Sequence, residues 1–143
     1  MEKNKSLDHG GKPYVLNIEE LTKANTNFRT AHWTGKQLQL TTMSVEVGGE
    51  LGLEVHPDTD QFLRIEAGTA KVVMGSAKDN LTEEWTAEED FAILVPAGTW
   101  HNILNVGPEE LKLYSIYAPA EHPKNTVHQT YEDAQAAEAK EDR

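Results

Sequence analysis

Two short stretches carry side chains able to hold a metal ion. The first, GGELGLEVHPDTDQFLRIEAG (Gly48 to Gly68), contains Glu54, His56 and Gln61. The second, PAGTWHNILN (Pro96 to Asn105), contains His101. Residues two apart on a strand share a face, so Glu54 and His56 reach one point while Leu53 and Val55 turn away into packing. The turn Pro57-Asp58-Thr59-Asp60 brings the chain back and lets Gln61 approach the same point, with Asp60 as its substitute if the turn is tighter. His101 enters from a separate strand behind the Pro96-Ala97-Gly98 turn. Imidazole nitrogens with a carboxylate and an amide oxygen form a mixed N/O set, suited to Mn, Fe(II), Ni, Co or Zn rather than Cu(I). On an ion that prefers six ligands, such a set leaves positions open for water or substrate, the mark of a catalytic site.

The elements that must position these donors read as strands. Lys36 to Val47 alternates, with Leu38, Leu40 and Thr42 on one face and Gln39, Thr41 and Met43 on the other, so both faces are engaged. Further strands are read at Leu51 to His56, Phe62 to Ile65, Ala70 to Met74, Phe91 to Val95, His101 to Val106 and Leu111 to Tyr117. Gly75 to Asn80 reads as a hairpin loop, and Tyr14 to Ala24 as an extended segment followed by one helical turn. Short strands with Gly/Pro punctuation indicate an all-β sandwich or barrel. Residues 1–12 read as a flexible polar lead-in, 13–128 as the barrel domain, and 129–143 as a polar, helical or frayed tail with no apolar face to bury.

Composition narrows the classes. A chain of 143 residues makes one domain and shows no internal repeat. Its formal charge of −11, with no basic stripe, excludes nucleic acid as the expected partner. The acidic run Glu83, Glu84, Glu88, Glu89 and Asp90 reads as a solubilising surface. Cysteine is absent, which removes disulfides, thiolate ligands and cysteine nucleophiles. The opening MEKNKSLDHGGK has no apolar run, and no stretch approaches the length of a membrane span, so a cytoplasmic protein without membrane contact is expected.

At the same residues the chain resembles the two motifs of the cupin superfamily. The first motif is G, five residues, H-x-H, three or four residues, E, six residues, G; Gly48, Glu54, His56, Gln61 and Gly68 stand in register with it. The second is G, five residues, P-x-G, two residues, H, three residues, N; Pro96, Gly98, His101 and Asn105 match, and Asp90 replaces the opening glycine. Glu54 stands where the first histidine is usual and Gln61 where the glutamate is usual, which keeps one negative charge on the set. The resemblance implies a jelly-roll β-sandwich barrel of the single-domain, conserved-barrel type, paired as a homodimer through the Lys36 to Val47 strand. It implies Glu54, His56, Gln61 and His101 as metal ligands, with Glu54 and His101 at the centre of catalysis.

Small cupins include isomerases, epimerases, decarboxylases and dioxygenases. The implied function is therefore a metalloenzyme acting on a small polar substrate such as a sugar, uronate or keto acid, by isomerase-like Lewis-acid chemistry. The alternatives are dioxygenase chemistry at Fe(II) and a metal-anchored module that binds or senses a small molecule. Other residues carry weaker signals. Trp100 is expected to pack, and Arg29 and Trp33 to pack or to close the pocket mouth. His32, His122 and His128 are surface histidines by default, able to move protons near neutral pH. Of Tyr114 and Tyr117 only one faces inward, and Arg64 and Glu66 lie on the face opposite Gln61.

Overall fold

A computed structural model describes residues 7–141. After helix α1 (Ile18–Ala24), capped by Asn17, come strands β1 (Arg29–Thr34), β2 (Gln39–Val45), β3 (Asp60–Ala67), β4 (Thr69–Gly75) and β5 (Glu83–Glu88). The chain continues through β6 (Ala92–Val95), β7 (Trp100–Asn105), β8 (Leu111–Ala118), the short β9 (Val127–His128) and helix α2 (Tyr131–Glu141). A six-stranded sheet in the order β6-β3-β8-β2-β1-β9 faces a three-stranded sheet in the order β5-β4-β7, and all pairings are antiparallel. This is the expected all-β jelly roll.

The inner face of the larger sheet changes character along the barrel. Its first rung, set by strand register, is Gln39, Tyr117, Gln61 and Val95; the second is Thr41, Ser115, Leu63 and Ile93. Beyond them lie Met43, Leu113 and Ile65, then Val45 and Leu111, which meet Ala70, Val72 and Ile103 of the smaller sheet in the core. One end is thus a packed hydrophobic plug and the other a polar chamber. Leu113, fully buried in the plug, has no room to be replaced. Leu113→Ala is expected to cost about 2–5 kcal/mol of stability. Equilibrium urea unfolding checks this, and a change below about 1 kcal/mol would contradict tight packing at that level.

The outer face of β2 is covered too: Leu40 and Thr42 are buried, as the two-sided alternation requires. Hydrogen bonds to β1 and β8 use both edges of β2, so this strand has no edge to offer a second copy. Pairing of two copies by strand addition would have to use another edge. Strands β1 and β5 went unread in the sequence. Strand β5 was hidden because only Ala87 among its residues is buried, so its acids mask the pattern.

The segment Leu51 to His56 is not a regular strand. It touches β7 through isolated bridges, Glu50 to Leu104 and Glu54 to His101, with Gly52 at φ +113° between them. That backbone is open to glycine and strained for other residues, and it breaks the ladder. The ends of the chain are also better tied than composition suggests. The Asp8 carboxylate accepts hydrogen bonds from the backbone N–H groups of Gly10, Thr34 and Asn125 and from the Thr34 hydroxyl, pinning the lead-in beside β1. Residues 1–6 of the lead-in lie outside the described residues. Helix α2 is docked rather than solvated: Ala134 is fully buried and Tyr131 packs edge-on against Phe28. No helix among the described residues is long and apolar enough to cross a membrane.

Candidate metal centre

At the polar end of the barrel the two donor stretches meet. The bridge between Glu54 and His101 is a reciprocal backbone pair, at 3.0 and 2.9 Å, and the N–H of Gly98 donates to the carbonyl of His56 at 2.9 Å. Gly98 has φ +84°, the left-handed conformation that lets the turn bend back onto His56. The motif glycines and prolines therefore act as clamps that bring distant donors together. Asp90, which stands where the motif has glycine, holds φ +75°, a region aspartate tolerates better than most residues. Asp60 is spent on the same clamp, because its Oδ1 accepts the N–H of Ala97 at 2.8 Å, so it does not replace Gln61.

The clamp places Glu54, His56 and His101 so that one ligand atom from each lies within 4.8 Å of the others. Both histidines are 95% or more buried, at 5% and 1% exposure, with ring centroids 5.4 Å apart. Each ring is oriented through Nδ1, His101 by the Thr99 carbonyl at 3.0 Å and His56 by the Glu121 carboxylate at 3.1 Å. Orienting partners of this kind fix the ring and turn Nε2 toward the centre. Glu54 Oε1 lies 3.3 Å from His56 Nε2 and 3.9 Å from His101 Nε2. Among the described residues no hydrogen-bond partner reaches His56 Nε2, His101 Nε2 or Gln61 Oε1, all buried. Buried polar atoms left without hydrogen bonds are costly, and the two Nε2 atoms, beside the Glu54 carboxylate, are of the kind a metal ion satisfies. The donor set fits a divalent ion.

Gln61 is 3% exposed on the first polar rung, and its Nε2 donates to Ser115 Oγ at 3.1 Å, which leaves Oε1 as the open atom. Beside it on that rung, Tyr117 is the inward tyrosine, its ring 5.8 Å from that of His56, while Tyr114 stacks outside on Phe62. Arg64 and Glu66 pair with each other on the opposite face, as expected.

Electrostatics follows from this crowding. Burial pushes the His56 imidazolium down, but the Glu121 and Glu54 carboxylates outweigh it and raise it to about 9. Loading a divalent ion therefore means releasing a proton from His56. Burial alone raises the Glu54 carboxyl, yet His56, Arg29 and His101 bring it below its ordinary value. Burial lowers His101 and keeps it neutral, the form that ligates.

A cavity of about 360 Å³ opens onto the centre, lined by Glu54, His56, Trp100, Glu121, His122 and residues of α2 including Gln135 and Glu138. Trp100 lines this cavity rather than merely packing. His122 and His128 are buried at 6% and 7% exposure, correcting their reading as surface histidines, whereas His32 packs outside against Thr42. Trp33 lies on the outer face, bonded to the Lys12 carbonyl, away from the mouth. Glu121 and Glu138 were missed because they sit beyond the last long strand, in acidic surroundings that resemble solvated surface. The Glu121-His122 pair just after the Tyr117 strand was the available signal.

A jelly roll with two histidines and a carboxylate clustered in its mouth defines the class. The chain belongs to the cupin-domain family, whose model matches residues 41–117. It is 57% identical over 131 residues to the uncharacterized protein YrkC of Bacillus subtilis, covering 92% of this chain and 70% of that protein. It is also 41% identical to the uncharacterized protein L612 of Acanthamoeba polyphaga mimivirus, across 85% of this chain and 74% of the relative. The crystal structure of BH2720 from Bacillus halodurans, 56% identical, superposes with a TM-score of 0.89 over 90% of this chain and 98% of that one.

Proposed function

We propose that this cupin is a mononuclear divalent-metal enzyme acting on a small, polar, carbonyl-bearing substrate such as a sugar, uronate or keto acid. The observation that carries the reading is the convergence of Glu54, His56 and His101, the first two lining one cavity, with no hydrogen bond made by either buried Nε2. A bound divalent ion supplies Lewis-acid polarisation of the substrate carbonyl. Glu54, His56 and His101 are the residues that would hold it, with Gln61 Oε1 as the weaker fourth donor. Glu121 keeps the His56 ring in register, so it acts through that ring.

Glu54 and His122 are the groups at this cavity able to take a proton from a C–H or O–H beside the carbonyl. Burial holds His122 well below its ordinary value, so it is neutral at pH 7 and a weaker base than a free imidazole. Helix α2 and Trp100 line the mouth of the cavity. A second reading, oxygen chemistry at Fe(II), is supported by the ligand types themselves, two histidines and one carboxylate. Dependence of the rate on dissolved oxygen separates the two, and ligand-induced stabilisation without turnover points instead to a binding module.

Elemental analysis tests the reading, on protein purified without chelator beside its His56→Ala variant. Near-stoichiometric Fe, Mn, Ni or Zn, lost in the variant, is the expected result. Absence of metal from both, even after incubation with these ions, overturns it.

A further inference from the structure

Behind Glu138 and His122, which line the cavity, lies a second polar feature that metal ligation does not use. Arg29 of β1 points into the barrel and is 1% exposed, an unusual place for a guanidinium. Its Nη1 donates to Glu138 Oε2 of α2 at 2.9 Å and to His128 Nδ1 at 3.1 Å. Accepting from an arginine fixes His128 as the neutral tautomer protonated on Nε2. Next to it His122, its ring 6.3 Å from that of His128 and 5.2 Å from that of Tyr117, faces the cavity. Among the described residues no hydrogen-bond partner reaches Arg29 Nε or either ring nitrogen of His122. A neutral imidazole always carries one N–H. Glu138 thus meets one edge of the guanidinium, and buried donors remain that it does not satisfy.

We infer that Arg29 and His122 form a carboxylate subsite beside the metal centre, which Glu138 of α2 fills and an incoming substrate carboxylate takes over. This rests on the metalloenzyme reading only for its catalytic meaning, and names the substrate as an anionic, carboxylate-bearing molecule. The exchange conserves charge: one carboxylate leaves the guanidinium as another arrives, so the buried cation never loses its counter-ion. A planar carboxylate also matches the fork of donors that arginine presents. The element carrying Glu138 is suited to yield. Helix α2 is secured by Tyr131 and the fully buried Ala134, and its other apolar residues are small alanines, so little apolar surface holds it down. Substrate binding then reads out as movement of Glu138, tying occupancy of the cavity to the helix at its mouth.

Arg29 is too deeply packed to replace without endangering the fold, so the test acts on its partner. Propionate, a monocarboxylate that chelates metals poorly, is titrated calorimetrically into the full-length protein, its Glu138→Gln variant and a Glu132→Gln control on the same helix. Propionate binding at least tenfold tighter in Glu138→Gln, unchanged in Glu132→Gln, is expected. The same ratio is expected when each is combined with His101→Ala, because this subsite does not use the metal ligands; failure of the metal reading is therefore seen separately. Equal affinity in all three proteins overturns the subsite. Loss of the difference with His101→Ala shows propionate binding at the metal and overturns it too. Inorganic phosphate binding Glu138→Gln as tightly as propionate overturns the carboxylate assignment.

Discussion

His101→Ala is expected to leave the protein without metal, while His9→Ala keeps its full complement. His101 stands on β7 with its Nδ1 committed to the Thr99 carbonyl and its buried Nε2 directed at Glu54 and His56. Removing it takes away a nitrogen donor that no neighbour replaces. Loss of an orienting partner alone typically costs about 10–100-fold in affinity, so loss of the ligand itself is expected to exceed about 100-fold. His9 is an exposed histidine stacked on Tyr14, remote from the cluster, and it controls for loss of an imidazole as such. Asn102 is no neutral control, although it adjoins His101. Its Oδ1 accepts the N–H of Gly52 at 3.0 Å and so supports the segment that carries Glu54. Metal content by elemental analysis, with thermal unfolding to confirm folding, decides the matter. Equal retention in His101→Ala and His9→Ala removes His101 from the ligand set.

Gln61→Glu is expected to move two quantities in opposite directions. The side chain is buried with Oε1 open and Nε2 donating to Ser115 Oγ, a hydroxyl that can turn to donate to a carboxylate instead. With metal bound, the added negative charge beside a divalent ion raises affinity for a hard ion such as Mn by about tenfold or more. Without metal, a second carboxylate joins Glu54 in a buried chamber, and like charges there oppose folding. The variant should therefore melt lower than wild type when stripped and gain more on adding metal. Competition titration with a chromogenic chelator and paired melting curves measure both effects. Weaker metal binding in Gln61→Glu means Gln61 faces the chamber without touching the ion.

The strands at Lys36 to Val47 and Leu111 to Tyr117 were legible because side chains two apart share a face, and each face keeps its own set of residues. The donors were legible because their punctuation is local: a turn at Pro57 to Asp60 and another at Pro96 to Gly98 lie beside the residues they aim. The Leu51 to His56 segment was read too regularly, since the break at Gly52 depends on how β7 runs past it. Strand β5 was invisible because its outer face, Glu84, Thr86 and Glu88, is wholly polar and only Ala87 on its other face is buried.

By itself, then, the sequence determined the class of fold and the identity of the donors, both encoded within a few residues of one another. Only the tertiary structure decided the surroundings of the site. Glu121 holding His56, Arg29 buried beside His128, and Glu138 reaching it from α2 join residues up to 109 positions apart. No local period or spacing records such contacts, because they arise from where the sheets and the final helix close over one another. A carboxylate in an acidic tail looks like solvated surface until the fold places a buried guanidinium opposite it.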